Sequence, residues 1–208
     1  LPKTSPPTFK INSERIQYTF IDLETEGRAQ LTEPESYAVL EAYEINSLKH
    51  TTAKTIEEAT DFAEKINYPV VLKIVSPDIM HKIDVGGVKI NLKDETALKT
   101  AFVEIIESAK KKVPKARIQG ILVQKFFTEK GIETIVGVKS IKGFGHLIMF
   151  GLGGTFVELF KDVSFRLAPL SKQDALDMIM ETKGYQLLKG YRGDGPYDIE
   201  AVAECLLR

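Results

Sequence analysis

The sequence is poor in cysteine, in net charge and in long apolar runs, and each of these absences argues against a class of protein. Its single cysteine, Cys205, cannot form an internal disulfide, and helical spacing with Val202 and Leu206 predicts a core position. The formal net charge of −1 gives no general attraction to nucleic acid or anionic lipid. No apolar run approaches the roughly 20 residues that span a bilayer. We therefore expect no nucleic-acid or membrane partner, and a reducing, cytoplasmic location.

Length and composition indicate an ordinary globular chain. Its 208 residues, 43% hydrophobic and 27% charged, suffice for one large domain or two small lobes. The chain begins LPKTSPPTFK, with three prolines in its first seven residues, which is typical of a linker. It ends at CLLR, inside an apolar helical pattern that carries no stop signal. We therefore expect a piece of a longer polypeptide.

The first half alternates helical and strand-like patterns. Residues 1–30 show little periodicity and are predicted to form an arm. Start signals then precede three helices, and short apolar runs between them predict strands. The helix starts are at Thr32, at Thr55 with Glu58 as capping partner, and at Asp94; the strands are a short one near 47–52, then YPVVLKIV and residues 87–92.

The second half begins with β-rich runs and then turns helical. QGILVQKFF, IETIVGVKS and GHLIMFGLG follow one another closely, which favours antiparallel pairing, and the first is expected to cross from one lobe to the other. TFVELF and VSFRLAPL continue the pattern before helices predicted from Ser171 and from Asp198. The prediction is an α+β fold with a lobe at 31–115 and a second lobe at 116–208, and a ligand cleft between them.

The loop at residues 76–87, which we call the histidine loop, carries the densest set of candidate residues. Lys73 ends the apolar strand before it, either as a phosphate ligand or as a lysine that extends its ammonium to water. His81 is a candidate nucleophile towards phosphorus, with Lys82 beside it and Asp84 placed to orient the ring. The pair Gly86 and Gly87 suggests a mobile loop, although most lone loop histidines are plain surface residues.

Two further groups are candidates for a nucleotide site. Gly153 and Gly154 would let the backbone approach a phosphoryl group, with Glu158 as a Mg²⁺ ligand, although glycine turns are common. Gln124, Phe126, Phe127 and Glu133 are candidates to line an adenine pocket. Core aromatics in a hinge explain the two phenylalanines equally well.

Taken together these motifs resemble the ATP-grasp fold. The closer resemblance is to the ATP-grasp subunit or domain of ADP-forming acyl-CoA synthetases, such as acetate–CoA ligase (ADP-forming), which are related to the succinyl-CoA synthetase β subunit. The resemblance covers roughly residues 32–208, and its string SPDIMHKIDVGGV is far more specific than a lone glycine motif. The other matching segments are ILVQKFF, GIETIVGV, IMFGLGGTFVELFKDVSFRLAPL and LLKGYRG.

The resemblance implies a function and roles for these residues. Acyl-CoA, ADP and phosphate would give acid, CoA and ATP, with ATP or ADP and Mg²⁺ bound by this chain and CoA by partner domains. His81 would be a phosphohistidine on a moving loop, which Lys82, Asp84, Gly86 and Gly87 support. Lys73, Gln124, Phe126, Phe127, Glu133, Gly153 and Gly154 would bind the nucleotide, and Glu158 would lie near the metal. The partners would be CoA-binding and ligase domains, fused or separate, in an oligomer.

Departures from the family's pattern leave other functions open. Ile83 stands where the family has Ser or Thr, and His146 where it often has Pro. The expected Asp-x-Asn-Pro strand of the second lobe does not occur before the chain ends. A regulatory ATP-grasp domain fused to an acetyltransferase, and another ATP-grasp ligase without a loop histidine, are the alternatives. The acid, the choice of ADP or GDP and the direction of the reaction are not indicated.

Overall fold

Helices and antiparallel strands form two separate compact units, which confirms the predicted α+β class. The computed structural model describes residues 5–154, 161–190 and 195–208. One unit consists of residues 11–128, and the other combines residues 129–208 with the residues that precede Ile11. The predicted strand TFVELF, residues 155–160, lies outside the described residues.

The unit of residues 11–128 is built around a four-stranded sheet. Its strand order is β1-β4-β2-β3, and every neighbouring pair is antiparallel. The elements of this unit, in chain order, are α1 (Ser13–Thr25), α2 (Glu33–Ala42), β1 (His50–Ala53), α3 (Ile56–Ile66), β2 (Val70–Val75), β3 (Val88–Leu92), α4 (Glu95–Lys112) and β4 (Gly120–Lys125).

The predicted helix starts are confirmed, except that the Glu58 carboxylate accepts a hydrogen bond from the backbone N–H of Lys54 and not from that of Thr55. Thr55 accepts a hydrogen bond from the backbone N–H of Glu58, and Asp94 caps α4 by accepting one from Ala97. At α2 the Glu35 carboxylate accepts a hydrogen bond from the backbone N–H of Thr32 at 2.6 Å. These side chains satisfy backbone donors that a helix leaves without partners in its first turn.

The two faces of this sheet have different chemistry because side chains alternate along each strand. Leu72 and Ile74 of β2 face α3 and α4, where they join a core that includes Leu98 and Ile105, all fully buried. Lys73 points to the opposite face, where its side chain meets that of Glu33 on α2. The alternation therefore places one cation on the face that α2 covers.

The second unit is built on a three-stranded antiparallel sheet of order β5-β6-β7. Phe150 of β6 is fully buried and forms a core with the helical residues Met178 and Ile179. Ser171 caps the helix that follows the sheet, as predicted, by accepting a hydrogen bond from Asp174 N–H. The elements are β5 (Thr134–Ile141), β6 (Gly145–Leu152), β7 (Val163–Leu167), α5 (Lys172–Met180), α6 (Tyr185–Leu188) and α7 (Ile199–Leu207).

The expected arm at residues 1–30 contains a helix, α1. Leu23 is the one buried residue of this helix, and Tyr18 and Ile21 are exposed, so that α1 buries little apolar surface. Contacts with α2 hold α1 in place. The Asn12 N–H donates to Ala42 O at 3.0 Å, and Arg15 pairs with Glu41 at 2.7 Å.

The expectation that QGILVQKFF crosses to a second lobe is wrong. This segment is β4, and it pairs with both β1 and β2 inside the first sheet. Ile121, Leu122 and Val123 are fully buried because a central strand is covered on both faces. The structure accordingly divides the units after Thr128, later in the chain than the predicted boundary near residue 115.

Within the described part of the chain, no helix combines the length and the apolar character that crossing a bilayer requires.

Leu98→Ala tests the packing of α4. Removing a fully buried leucine side chain is expected to lower the free energy of unfolding by about 2–5 kcal/mol. Val103→Ala on the same helix is the control, because Val103 is 43% exposed and its truncation should change stability by less than about 1 kcal/mol. Urea unfolding followed by circular dichroism measures both. Equal effects would contradict the assigned burial.

Candidate functional site

The histidine loop connects β2 to β3 and is fixed at two points by buried side chains. Ile79 and Val85 belong to the core that α4 and the sheet form. Between them the chain turns outward, so that His81 is exposed, with Met80 at 60% and Ile83 at 80% exposure. The exposed part of the loop therefore lies within residues 80–84, a shorter segment than the whole histidine loop.

Polar contacts reinforce both fixed points. On one side, Asp78 accepts two hydrogen bonds from the Arg117 guanidinium, at 2.7 and 3.0 Å, and a third from the Arg117 backbone N–H at 2.8 Å. On the other side, the Ser108 hydroxyl donates to Val85 O at 2.7 Å, and Lys112 donates to Asp84 O at 2.6 Å. Bidentate arginine–carboxylate pairs are geometrically specific, so Asp78 holds the start of the loop in one orientation.

The paired glycines are required by close packing where the loop rejoins the sheet. A Cβ on Gly87 would lie 2.4 Å from Ile74 Cγ2 and 3.0 Å from Lys82 O. Gly86 has φ +70°, a conformation that side chains rarely adopt, and a Cβ there would lie 2.8 Å from Ser108 Oγ. The glycines thus seat the end of the loop against β2 and α4.

The imidazole of His81 forms no hydrogen bond or ion pair with the described residues. The predicted contact with Asp84 takes another form: the backbone N–H of Asp84 donates to the carbonyl of His81 at 3.2 Å. The structure therefore does not place the Asp84 carboxylate where it would orient the ring. It leaves the ring open to a partner that approaches from solvent.

Lys73 and Gln124 lie together in a polar cluster beneath α2. We call Glu33, Tyr37, Lys73, Lys82 and Gln124 the Glu33 cluster. Lys73 Nζ donates to Glu33 Oε1 at 2.6 Å and to Gln124 Oε1 at 3.1 Å. Gln124 donates to the Tyr37 hydroxyl at 2.8 Å, and Tyr37 donates to Glu33 Oε1 at 3.0 Å, which closes a ring of four side chains.

The ring compensates the buried charge on β2. Burial raises the pKa of the Glu33 carboxyl, but the hydrogen bonds and charges of Lys73 and Lys82 outweigh it, so that the pKa lies below its ordinary value. Burial is also the main reason why the pKa of Tyr37 is raised. Glu33 is therefore ionised at neutral pH and neutralises Lys73, which does not extend to open water.

The other predicted nucleotide ligands are divided between the two units. Gln124 is buried, while Phe126 and Phe127 follow it beyond the end of β4, and Phe127 is 55% exposed. Glu133, Gly153 and Gly154 belong to the second unit, where they line a cavity of about 500 Å³ with Leu152 and Leu187. The Gly153 N–H donates to Glu133 O at 2.6 Å.

A Cβ on either glycine of this cavity would crowd Glu133. On Gly153 it would lie 3.0 Å from Glu133 Cβ, and on Gly154 it would lie 2.9 Å from Glu133 Oε2. The glycines therefore keep the backbone close to a carboxylate at the cavity wall. A cavity of this size can hold part of a nucleotide. Its Glu133 carboxylate can accept hydrogen bonds from the hydroxyl or amino groups of such a ligand.

The predicted metal ligand, Glu158, lies outside the described residues. Among the residues that are described, no group of three or more His, Cys, Asp or Glu side chains is arranged to hold a metal ion.

Glu33, Tyr37 and Arg117 contact the candidate site but are absent from the predicted set. In the sequence, Glu33 is explained as an acid in the first turn of a helix, and that role does not indicate that it also pairs with Lys73. The signal that points to it is Lys73, because a lysine in an apolar strand requires a carboxylate partner. Tyr37 and Arg117 carry no comparable signal.

Comparison with known proteins agrees with this architecture. A family model described as an ATP-grasp domain matches residues 22–208. The chain belongs to the ATP-grasp family. The family resemblance that the sequence motifs suggest is thereby confirmed.

Two similar proteins are named as ADP-forming ligases. The chain is 50% identical over 186 residues to acetate–CoA ligase [ADP-forming] I of Archaeoglobus fulgidus, covering 89% of this chain and 27% of that protein. It is 46% identical over 178 residues to the β subunit of acetate–CoA ligase [ADP-forming] I of Pyrococcus furiosus, covering 86% of this chain and 76% of the subunit. The chain thus spans about a quarter of the first relative and about three quarters of the second.

A solved structure shares the fold at high identity. The dinucleotide-forming acetyl-coenzyme A synthetase 1 of Ca. Korarchaeum cryptofilum, in complex with coenzyme A and Ca-AMPCP, matches with TM-score 0.86 and 50% identity over 92% of this chain and 83% of that chain. Another structure of that enzyme contains Mg-AMPPCP and has its phosphohistidine segment pointing towards the nucleotide binding site.

Titration of Asp78 tests the fixed start of the histidine loop. Hydrogen bonds from the Arg117 side chain and backbone lower the pKa of Asp78 from 3.8 to about 2. Because the folded pKa is the lower one, the pair stabilises the loop above pH 4, and this stabilisation is lost as pH falls towards 2. An NMR titration of the carboxyl carbon should show a midpoint near 2.

Arg117→Ala is the matched variant for this titration, and it should return the midpoint of Asp78 towards 3.8. A wild-type midpoint already near 3.8 would contradict the pair.

Proposed function

We propose that this chain is the nucleotide-handling part of an ADP-forming acyl-CoA synthetase. The reaction is acyl-CoA, ADP and phosphate giving acid, CoA and ATP. The observation that supports this most directly is His81, an exposed imidazole at the turn of a loop that is fixed at both ends. The relatives named above catalyse chemistry of this class, and the phosphohistidine segment of the Korarchaeum enzyme supports a relay through the loop.

His81 acts as the carrier of the phosphoryl group. A ring nitrogen of His81 attacks the phosphorus of a phosphohistidine in the partner domains, so that a new N–P bond forms while the old N–P bond breaks. A terminal phosphate oxygen of ADP then attacks the phosphorus on His81, forming the P–O bond of ATP and releasing the neutral imidazole. Two short in-line transfers replace one transfer over a distance that a direct reaction cannot span.

The remaining residues bind and neutralise the nucleotide. Lys73 offers its ammonium to the phosphates. Gln124, Phe126 and Phe127, at the end of β4, line the adenine pocket. Glu133, Gly153 and Gly154 form the wall of a cavity in the second unit. Mg²⁺ is the proposed companion ion, which would neutralise phosphate charge, with Glu158 as its predicted ligand.

Partner domains complete the proposed enzyme. CoA-binding and ligase domains supply the acyl chemistry, either fused to this chain or as a separate subunit, in a cytoplasmic oligomer. Two relatives support this arrangement. One is named as a β subunit, and the other is a longer protein of which this chain spans 27%.

His81→Asn in the complete enzyme tests the proposal. Without a nucleophile on the loop, ATP synthesis from acyl-CoA, ADP and phosphate should fall by roughly 10³-fold or more. Radiolabelled ATP with Mg²⁺ should label the wild-type peptide that contains His81, but not the same peptide of the variant. His146→Asn, a second exposed histidine, is the control and should keep both activity and label.

Undiminished ATP synthesis by the His81→Asn enzyme would overturn the proposed relay. An unlabelled His81 in an active wild-type enzyme would instead favour an ATP-grasp ligase that needs no loop histidine.

A further inference from the structure

One carboxylate is shared by a lysine of the sheet and a lysine of the histidine loop. Glu33 Oε1 lies 2.6 Å from Lys73 Nζ on β2, and Glu33 Oε2 lies 3.2 Å from Lys82 Nζ in the loop. Lys82 directly follows His81 in the chain. Glu33 therefore connects the strand proposed to bind nucleotide phosphates with the residue next to the proposed phosphoryl carrier.

Tyr37 and Gln124 hold the shared carboxylate of Glu33 in place. The Tyr37 hydroxyl donates to the oxygen of Glu33 that faces Lys73, and Gln124 fixes the hydroxyl by donating to it. All three charged side chains are mostly shielded, with exposed fractions of 21% for Glu33, 23% for Lys73 and 24% for Lys82. Salt screens such partly buried pairs less than pairs on the open surface.

Lys82 is the one side chain of residues 80–84 that forms an ion pair with the body of the unit, within the described part of the chain. The contacts of Asp78, Val85 and Asp84 O hold the ends of the loop and do not involve the side chains at its turn. Loss of the Lys82–Glu33 pair would therefore remove the side-chain attachment of the turn that carries His81, and leave it held by the backbone hydrogen bonds from Gly87 N–H to Lys82 O and from Gly86 N–H to Ile83 O.

We propose that Glu33 is a positioning residue that docks the histidine loop through Lys82 and releases it when phosphates bind Lys73. This inference rests on the proposed function. An anionic phosphate at Lys73 competes with Glu33 for the same ammonium and repels its carboxylate. Since the same carboxylate holds Lys82, its displacement weakens the hold on the loop. Nucleotide binding and loop release are thereby coupled through one side chain.

Hydrogen exchange of the loop in the complete, nucleotide-free enzyme tests the docking. Glu33→Gln and Lys82→Gln each remove the ion pair, and each should increase the exchange rate of peptides that cover residues 80–86 by roughly 5-fold. The double variant should exchange no faster than either single variant, because both remove the same contact. Addition of ADP and Mg²⁺ should accelerate exchange in the wild type but not in Glu33→Gln.

Glu35→Gln is the matched control. Glu35 lies on the same turn of α2, but its carboxylate binds Arg28 and the Thr32 N–H instead of the loop. Loop exchange in Glu35→Gln should equal that of the wild type. An equal acceleration in Glu35→Gln would show that the loop responds to the stability of α2, and it would overturn the docking role.

Steady-state kinetics separate the two lysines. Glu33→Gln should lower the KM for ADP by roughly 5-fold, because Lys73 no longer has to leave a carboxylate. Lys82→Gln keeps the Lys73–Glu33 pair and removes only the loop contact that ADP binding would break, so its KM for ADP should fall less than that of Glu33→Gln. Unchanged loop exchange in both variants would overturn the inference even if His81 is phosphorylated normally. An unphosphorylated His81 would instead overturn the proposed function.

Discussion

The ammonium of Lys73 is the constraint on which much of the first unit depends. A lysine at the fourth position of an otherwise buried strand must be neutralised inside the fold, because an uncompensated charge there costs several kcal/mol. The structure meets this need with Glu33, which the start of α2 brings over the sheet. The same requirement therefore sets the position of α2 above the sheet and orders Tyr37 and Gln124 around the carboxylate.

The histidine loop combines a fixed frame with a free turn. Two apolar side chains, Ile79 and Val85, are buried in the core, and the Asp78–Arg117 pair sets the direction in which the loop leaves the sheet. Between these points the chain turns outward, and His81 faces solvent. The proposed carrier role requires an exposed histidine on a frame that is rigid enough to return it to the same place, and the burial pattern is compatible with both requirements.

Helices and strands with strong local signals were predictable, and those defined by their neighbours were not. Thr55 and Ser171 each form the predicted cap, and the helix predicted from Asp94 is capped by that residue, because a cap involves only residues three or four positions apart. By contrast α1 has one buried residue, and its weak periodicity gave no sign of a helix. The segment QGILVQKFF shows the same limit, since its apolar run predicts a strand but does not specify which neighbours the strand pairs with.

Among the candidate site residues, the sequence alone determined the glycine pair, the exposed histidine and the lysine in an apolar strand, because each follows from local chemistry. A specific string of residues, SPDIMHKIDVGGV, was also enough to indicate the family. Tertiary structure alone decided that Glu33 lies beside Lys73, 40 positions away, and that Arg117 binds Asp78, 39 positions away. The physical reason is that these ion pairs form only where the packing of helices and strands brings distant residues together, and the local sequence around each residue does not specify that packing.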